Sequence, residues 1–122
     1  MPIRKTTAEM TSDAVGYVRV DEDAPEKAAV LLKTVADYCE RAGLRLIKTW
    51  CDRGYDGTQL ARPGVVQIRQ ALMESDGLTI VVPTLDDLSP VQSIRSPLML
   101  MIHRLGGKLV VVGEVNVTGE DR

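Results

Sequence analysis

Apolar residues gather in four short runs: AVGYVRV (14–20), LRLIKTW (44–50), GLTIVVPTL (77–85) and KLVVVGEV (108–115). Each is rich in β-branched and aliphatic residues, and each predicts a strand. Between the first two, Leu31, Val35, Tyr38 and Ala42 recur at helical spacing, while Lys27, Lys33, Glu40 and Arg41 fill other positions. A helix is therefore predicted from Pro25 to Ala42, with proline suited to its first turn and Gly43 to the residue after its last. A second helix, 63–75, opens at Pro63 and carries Val65, Ile68 and Leu72 on one face. After the third run, Ser89-Pro90 and Ser96-Pro97 each read as a cap followed by a proline at the first helical position. The third helix, ending at Leu105 before Gly106-Gly107, is expected to kink or restart at Pro97.

Strands alternating with helices predict an α/β fold, a mainly parallel open sheet of four to five strands with helices on both faces. The third run is apolar nearly throughout, as a strand covered on both faces should be. Residues 14–115 form the predicted domain, between a polar N-terminal segment (1–13), expected to be flexible, and a C-terminal tail (116–122). In such sheets ligands bind beyond the C-terminal strand ends. Those ends are Asp21–Asp23, Cys51–Gly57 and Asp86–Ser89, three acidic loops on one rim.

Charge and composition narrow the function classes. Lys and Arg number 15 against 17 Asp and Glu, a net charge of −2, whereas phosphate neutralisation supplies most of the affinity of a DNA-binding domain. Binding of DNA by the isolated chain is therefore not expected. Aromatics are confined to Tyr17, Tyr38, Tyr55 and Trp50, too few for a row of base-stacking platforms. Two cysteines, Cys39 and Cys51, fit packed thiols in a reducing compartment better than a disulfide framework. No apolar run has the length of a membrane span, and MPIRKTTAEMTSD lacks the features of a signal peptide, so a cytoplasmic location without membrane contact is expected.

The segments GYVRVD, YCERAG, CDRGYDGTQLARPGV and LDDLS resemble, in order and spacing, the catalytic domain of serine recombinases, the resolvase/invertase family. That family's pattern is GY-x-R-V-S, a helix ending near a glycine, D-x-G-x-S-G, an R-P-G helix start and L-D-R-L-x-R. The likeness covers about residues 14 to 113. It implies the resolvase catalytic-domain fold, and a reaction in which a serine hydroxyl attacks a DNA phosphodiester while arginines neutralise the phosphate. Carried over residue by residue, Arg19, Arg62 and Asp86 match the pattern. The nucleophilic serine falls on Asp21, the next arginine on Asp87 and the last on Pro90. Two carboxylates in place of a hydroxyl and an arginine repel a phosphodiester, and charge stabilisation is usually the largest contribution to phosphoryl transfer. Ser89, Ser93 and Thr84 lie near in sequence, but none takes the nucleophile's position and no histidine stands near to activate one. The loop GYDG (54–57) resembles a substrate-side loop that has lost its serine. After VVVGEVNVTGEDR the family pattern continues into a long dimer helix and a helix-turn-helix, and this chain is expected to lack both. The resemblance thus implies a catalytically inactive recombinase-like domain without a cofactor, acting by protein association or regulation, as a homo-oligomer or with a related recombinase.

Several readings of the rim stay open on sequence alone. Arg19 and Arg62 form a candidate anion site, or they pair with Asp21 and Asp86, since an unpaired buried charge is costly. Asp21, Asp23, Asp86 and Asp87 are hard oxygen ligands that could hold a divalent cation in a metal-dependent phosphoryl-transfer enzyme. An accessory, DNA-binding part in a recombination assembly is the remaining alternative. Within LMLMI (98–102), Leu98, Met99, Met101 and Ile102 are interface candidates, because five successive helical positions sweep past one face. His103, the sole histidine, is assigned no role.

Overall fold

The computed structural model describes residues 12–20, 25–55, 58–59 and 62–113. Four strands, β1 (Asp13–Val20), β2 (Arg45–Arg53), β3 (Thr79–Val82) and β4 (Lys108–Val111), alternate with helices α1 (Pro25–Ala42), α2 (Pro63–Glu74) and α3 (Gln92–Arg104). The strands pair in the order β2-β1-β3-β4, every pair parallel. The fold is the expected α/β architecture, with the smaller of the two strand numbers.

Alternation along β1 divides the core. Val15 and Tyr17 point to the face covered by α2 and α3, where they meet Val65, Ile68, Leu72, Leu98 and Ile102. Ala14 and Val18 point to the face covered by α1, where they meet Val35 and Cys39. Burial there pushes the Cys39 thiol pKa up, as befits a packed rather than reactive cysteine. Gly16 shares that face, and its missing side chain is a packing requirement. A Cβ there would stand 2.6 Å from Val35 Cγ1 and 2.7 Å from Thr49 Oγ1.

The element ends depart from the sequence pattern for local reasons. β1 begins one residue earlier than Ala14, because Asp13 pairs with Arg45 in the ladder and accepts from its Nε at 2.8 Å. β2 extends beyond Trp50 to Arg53, which lies opposite Val20. β3 is shorter than the apolar run 77–85. Gly77 takes a left-handed turn at φ 71°, and Pro83 has no N–H to continue a ladder. β4 stops beside it, Val111 lying opposite Val82, while Gly113 N–H donates to Pro83 O at 3.0 Å.

The third helix starts later than the proline pattern predicts. Ser89 Oγ accepts from Val91 N–H at 3.0 Å, a tight local turn, and Leu85–Asp87 forms a short 3₁₀ turn before it. The helix then begins at Gln92 with Val91 as its cap and runs through Pro97 without a restart. Pro97 and Ser93, whose carbonyl loses its helical donor to the proline, are both exposed, so water can satisfy that carbonyl.

An edge irregularity completes the sheet. Between Ala14 and Val15 the β1–β2 register shifts, so that Leu46 and Lys48 face successive β1 residues and Ile47 is left over, 54% exposed. Among the described residues, no helix is long and apolar enough to cross a membrane.

Gly16→Ala is expected to lower the stability by about 1–3 kcal/mol through overpacking against Val35 and Thr49. Urea unfolding of both proteins measures it, and an unchanged midpoint would contradict the close packing.

Candidate functional site

The C-terminal strand ends carry the rim, and its geometry starts with Tyr17. The ring lies wholly buried on the α2/α3 face, and its hydroxyl donates to Asp52 Oδ2 at 2.7 Å. Burial and that carboxylate push the phenol pKa up, against the lowering effect of the Arg62 charge, so the phenol stays protonated and donating. Asp52 sits at the end of β2, 4% exposed, and accepts the Gly64 N–H on both oxygens, at 2.9 and 3.0 Å. It thus satisfies an N–H of the first turn of α2, which no intrahelical carbonyl reaches. Only glycine fits there, because a Cβ on residue 64 would stand 2.7 Å from the Tyr17 ring and 2.8 Å from Asp52 Oδ2.

Arg62, the residue before α2, is fully buried. Its Nε donates to Gln59 O at 2.9 Å, Nη1 to Tyr17 Oη at 3.1 Å, and Nη2 to Leu88 O. The guanidinium also lies 5.7 Å from the centre of the Tyr17 ring. Its charge is balanced at one remove by Asp52, with the Tyr17 hydroxyl between them. The Asp86 carboxylate, named in the pairing expectation, is not among its partners; Asp86 is exposed.

Arg19, near the end of β1, is 8% exposed. Its Nη1 donates to Tyr55 O at 3.0 Å and its Nη2 to Asp86 O at 2.7 Å. Asp86 therefore meets Arg19 through its main-chain carbonyl. Asp87 is turned inward, 4% exposed. One oxygen accepts Arg19 N–H at 3.1 Å, while the other accepts the N–H and hydroxyl of Thr84, both at 3.0 Å. Desolvation raises its carboxyl pKa above the ordinary 3.8, opposed by those hydrogen bonds and by the Arg19 charge. The acid expected to project as a repulsive charge on the rim is instead a buried acceptor that shapes the turn after β3.

Beside these groups is a cleft of about 340 Å³ lined by Arg19, Lys27, Leu31, Thr84, Asp86, Asp87 and Pro90. Arg19 and Pro90 both line it, whereas Arg62 is not among the described residues in its walls. Asp21 and Asp23 lie outside the described residues, as do Asp56 and Gly57 of the GYDG loop. Among the described residues no group of three His, Cys, Asp or Glu side chains stands close enough to hold a metal ion. Of the interface candidates, Leu98 and Ile102 are core residues, Met101 is partly buried and Met99 is 37% exposed; Leu100, not among them, is 48% exposed. A larger cleft, about 440 Å³, lies between the end of β2 and α2, with Trp50, Tyr55 and Gln67 in its walls.

Sequence reasoning gave no site role to Tyr17, Asp52, Thr84 or Lys27. The signal for Asp52 was present: D-x-G-x-S-G fits the chain when started at Asp52, with Gly54 at its first glycine and Asp56 at its serine. Gly54 indeed adopts φ 80°, a conformation that favours glycine. Lys27 enters the cleft only because α1 begins beside β1, which spacing alone does not reveal.

Residues 14–121 match the family described as Resolvase, N terminal domain. The chain belongs to that family. Solved structures agree with this placement within the serine recombinases. The N-terminal catalytic domain of TP901-1 integrase superposes with a TM-score of 0.76 at 20% identity, over 84% of this chain and 78% of that one. The C-terminal catalytic domain of ISC1926 TnpA, an IS607-like serine recombinase, gives 0.72 at 19% identity, over 82% and 67%. The first open reading frame of transposon ISC1904 from Sulfolobus solfataricus P2 gives 0.66 at 15%, over 81% and 66%. At such identities the likeness speaks for the resolvase fold. No curated protein matches the chain.

In this resolvase domain, burial of Asp87 has a measurable consequence. Its folded-state pKa is raised, so the folded protein holds the proton to higher pH than the unfolded chain. Its contribution to stability is greatest below pH 3.8 and declines as pH rises through the folded-state pKa. Carbon-detected NMR titration of the carboxyl should give a midpoint above 3.8, and the stability advantage over Asp87→Asn should shrink as the pH is raised through it. A midpoint below 3.8 would reverse the sign.

Proposed function

We propose that this chain is a catalytically silent serine-recombinase domain that acts by protein association or regulation rather than by cutting DNA. The observation that carries the reading is Arg62. The recombinase pattern asks the arginine at this helix start to meet a phosphate, yet here the side chain is fully buried and each of its three nitrogens donates to the protein. Drawing it out would leave Gln59 O, Leu88 O and the Tyr17 hydroxyl without their donor and Asp52 without its balancing charge.

Two further residues support the same reading. The sequence puts Asp21 where the resemblance places the nucleophile. Asp87 takes the position of an arginine and uses both oxygens on Arg19 and Thr84. Those bonds equally take Asp87 from a metal, which weakens the acidic-rim alternative. For association, Met99 and Leu100 on the outer side of α3 offer an adaptable apolar pair.

The test joins this chain to the DNA-reading region of an active serine recombinase and offers that enzyme's own site. We expect no covalent protein–DNA adduct on a denaturing gel, with the active parent as control. Asp21→Ser alone should not restore one, because Arg62 stays withdrawn and Asp87 stays an acceptor. An adduct formed by the unsubstituted chain would refute the silent reading.

A further inference from the structure

We propose that the outer edge of β2 from Lys48 onward, with the cleft beside α2, docks an extended peptide of a partner protein, one carrying a bulky apolar side chain two residues from an acid. In the strand order β2-β1-β3-β4, β2 has a neighbour on one side only among the described residues. Its register with β1 is regular from the Val15–Lys48 pair to the Val20–Arg53 pair, so this stretch lies wholly beyond the irregularity at Ile47. Gly54 N–H donates back toward β1, to Val20 O at 2.9 Å. Main-chain groups alternate sides along a strand, which directs the N–H and C=O of Thr49 and Cys51 to the open edge. A strand laid there would find donors and acceptors at both residues.

The edge opens into the cleft of about 440 Å³, and Cys51 shows how. Its side chain packs on the α1 face, whereas Trp50 and Asp52 belong to the α2 face, yet all three line the same cleft. The cleft therefore wraps the margin of the sheet, where a strand added to β2 would pass. Trp50, Tyr55, Pro63, Val66 and Gln67 give it an aromatic and apolar wall with one amide. That wall suits one bulky side chain, which alternation along the peptide would deliver to the α2 face. Lys48 sets the other half of the partner's chemistry. It stands two residues before Trp50 on the same face, its ammonium 5.5 Å from the centre of the Trp50 ring, and no carboxylate among the described residues pairs with it. Asp52, in the cleft wall, is already engaged by Gly64 N–H and the Tyr17 hydroxyl. A peptide carboxylate two residues from the inserted side chain would meet Lys48 and complement it. This gives the association reading a surface, and rests on that reading only for the view that the chain works through partners.

The probe is a capped peptide, Thr-Glu-Val-Tyr-Val-Glu-Thr, whose side-chain pattern reads alike in both directions. Titrated into the full isotope-labelled chain, it is expected to bind saturably and to shift the NMR signals of the Thr49 and Cys51 amides and the Trp50 indole. Two N-methylated peptides separate strand addition from mere filling of the cleft, one methylated on both Val amides and the other on the Tyr amide. Only one edge of an added strand faces β2, so one form should bind as the parent does and the other about tenfold more weakly or worse. Lys48→Glu and Val66→Glu, both at exposed positions, should each weaken binding by about tenfold. Equal binding by the two methylated forms would overturn the proposal in favour of a plain aromatic pocket. Absence of saturation at millimolar peptide, or indifference to both substitutions, would overturn it as well. So would self-association in light scattering with the same amides shifting as the chain is concentrated, since a second copy would then own the edge. The cleavage test remains separate. An adduct-forming chain that binds the peptide removes the silent reading alone, and an inert chain that ignores the peptide removes the docking edge alone.

Discussion

The hydrogen bond from the Tyr17 hydroxyl to Asp52, 2.7 Å long and sealed from water, is the contact on which the rest of the rim depends. It joins the two longest strands at the point where α2 begins. Without Asp52 the first turn of α2 would bury the Gly64 N–H without an acceptor, and Arg62 would lose the charge that balances it at one remove. A buried hydrogen-bond network of this kind adds little net stability, but losing one member is expensive, because the groups left inside lose their partner. Its value is therefore in geometry. It permits one arrangement of β1, β2, α2 and the loop after β3, and penalises others.

In that arrangement Arg19, Arg62 and Asp87 each bond to the protein around them. Here Arg62 faces inward, and Arg19 is all but buried with two nitrogens on main-chain carbonyls. Asp87 organises the turn through Thr84. The fold is retained because its demands are met by β-branched strands, two covering layers and close glycines. None of these depends on whether the rim can cut DNA.

Much of the scaffold is legible in the sequence, and the reason is periodicity. The spacing of Leu31, Val35, Tyr38 and Ala42 places α1 with both ends correct, and β-branched runs place all four strands. The strand ends are less legible because they depend on neighbours. Pro83 cuts β3 short and takes β4 with it, while β2 grows to match Val20. The site positions are legible as an ordered set of motifs, but their partners are not. Nothing in LDDLS shows that the first aspartate would face water and the second turn inward, because that choice is made by Thr84 and by a strand 68 residues away. Leu98 and Ile102 illustrate the same limit, since a run of five apolar residues does not announce which of them the sheet will cover.

The leftover Ile47 has an implication for how the protein behaves in a crowd. β2 forms one edge of the sheet, and a straight edge of nine residues would invite a strand from another molecule to join it. The shift between Leu46 and Lys48 bends that edge, and Lys48 sets a positive charge beside the bend. A newcomer could match the edge on one side of the irregularity or the other, but not along its whole length. An oily side chain that looks like a weakness thus marks the place where uncontrolled sheet growth is interrupted.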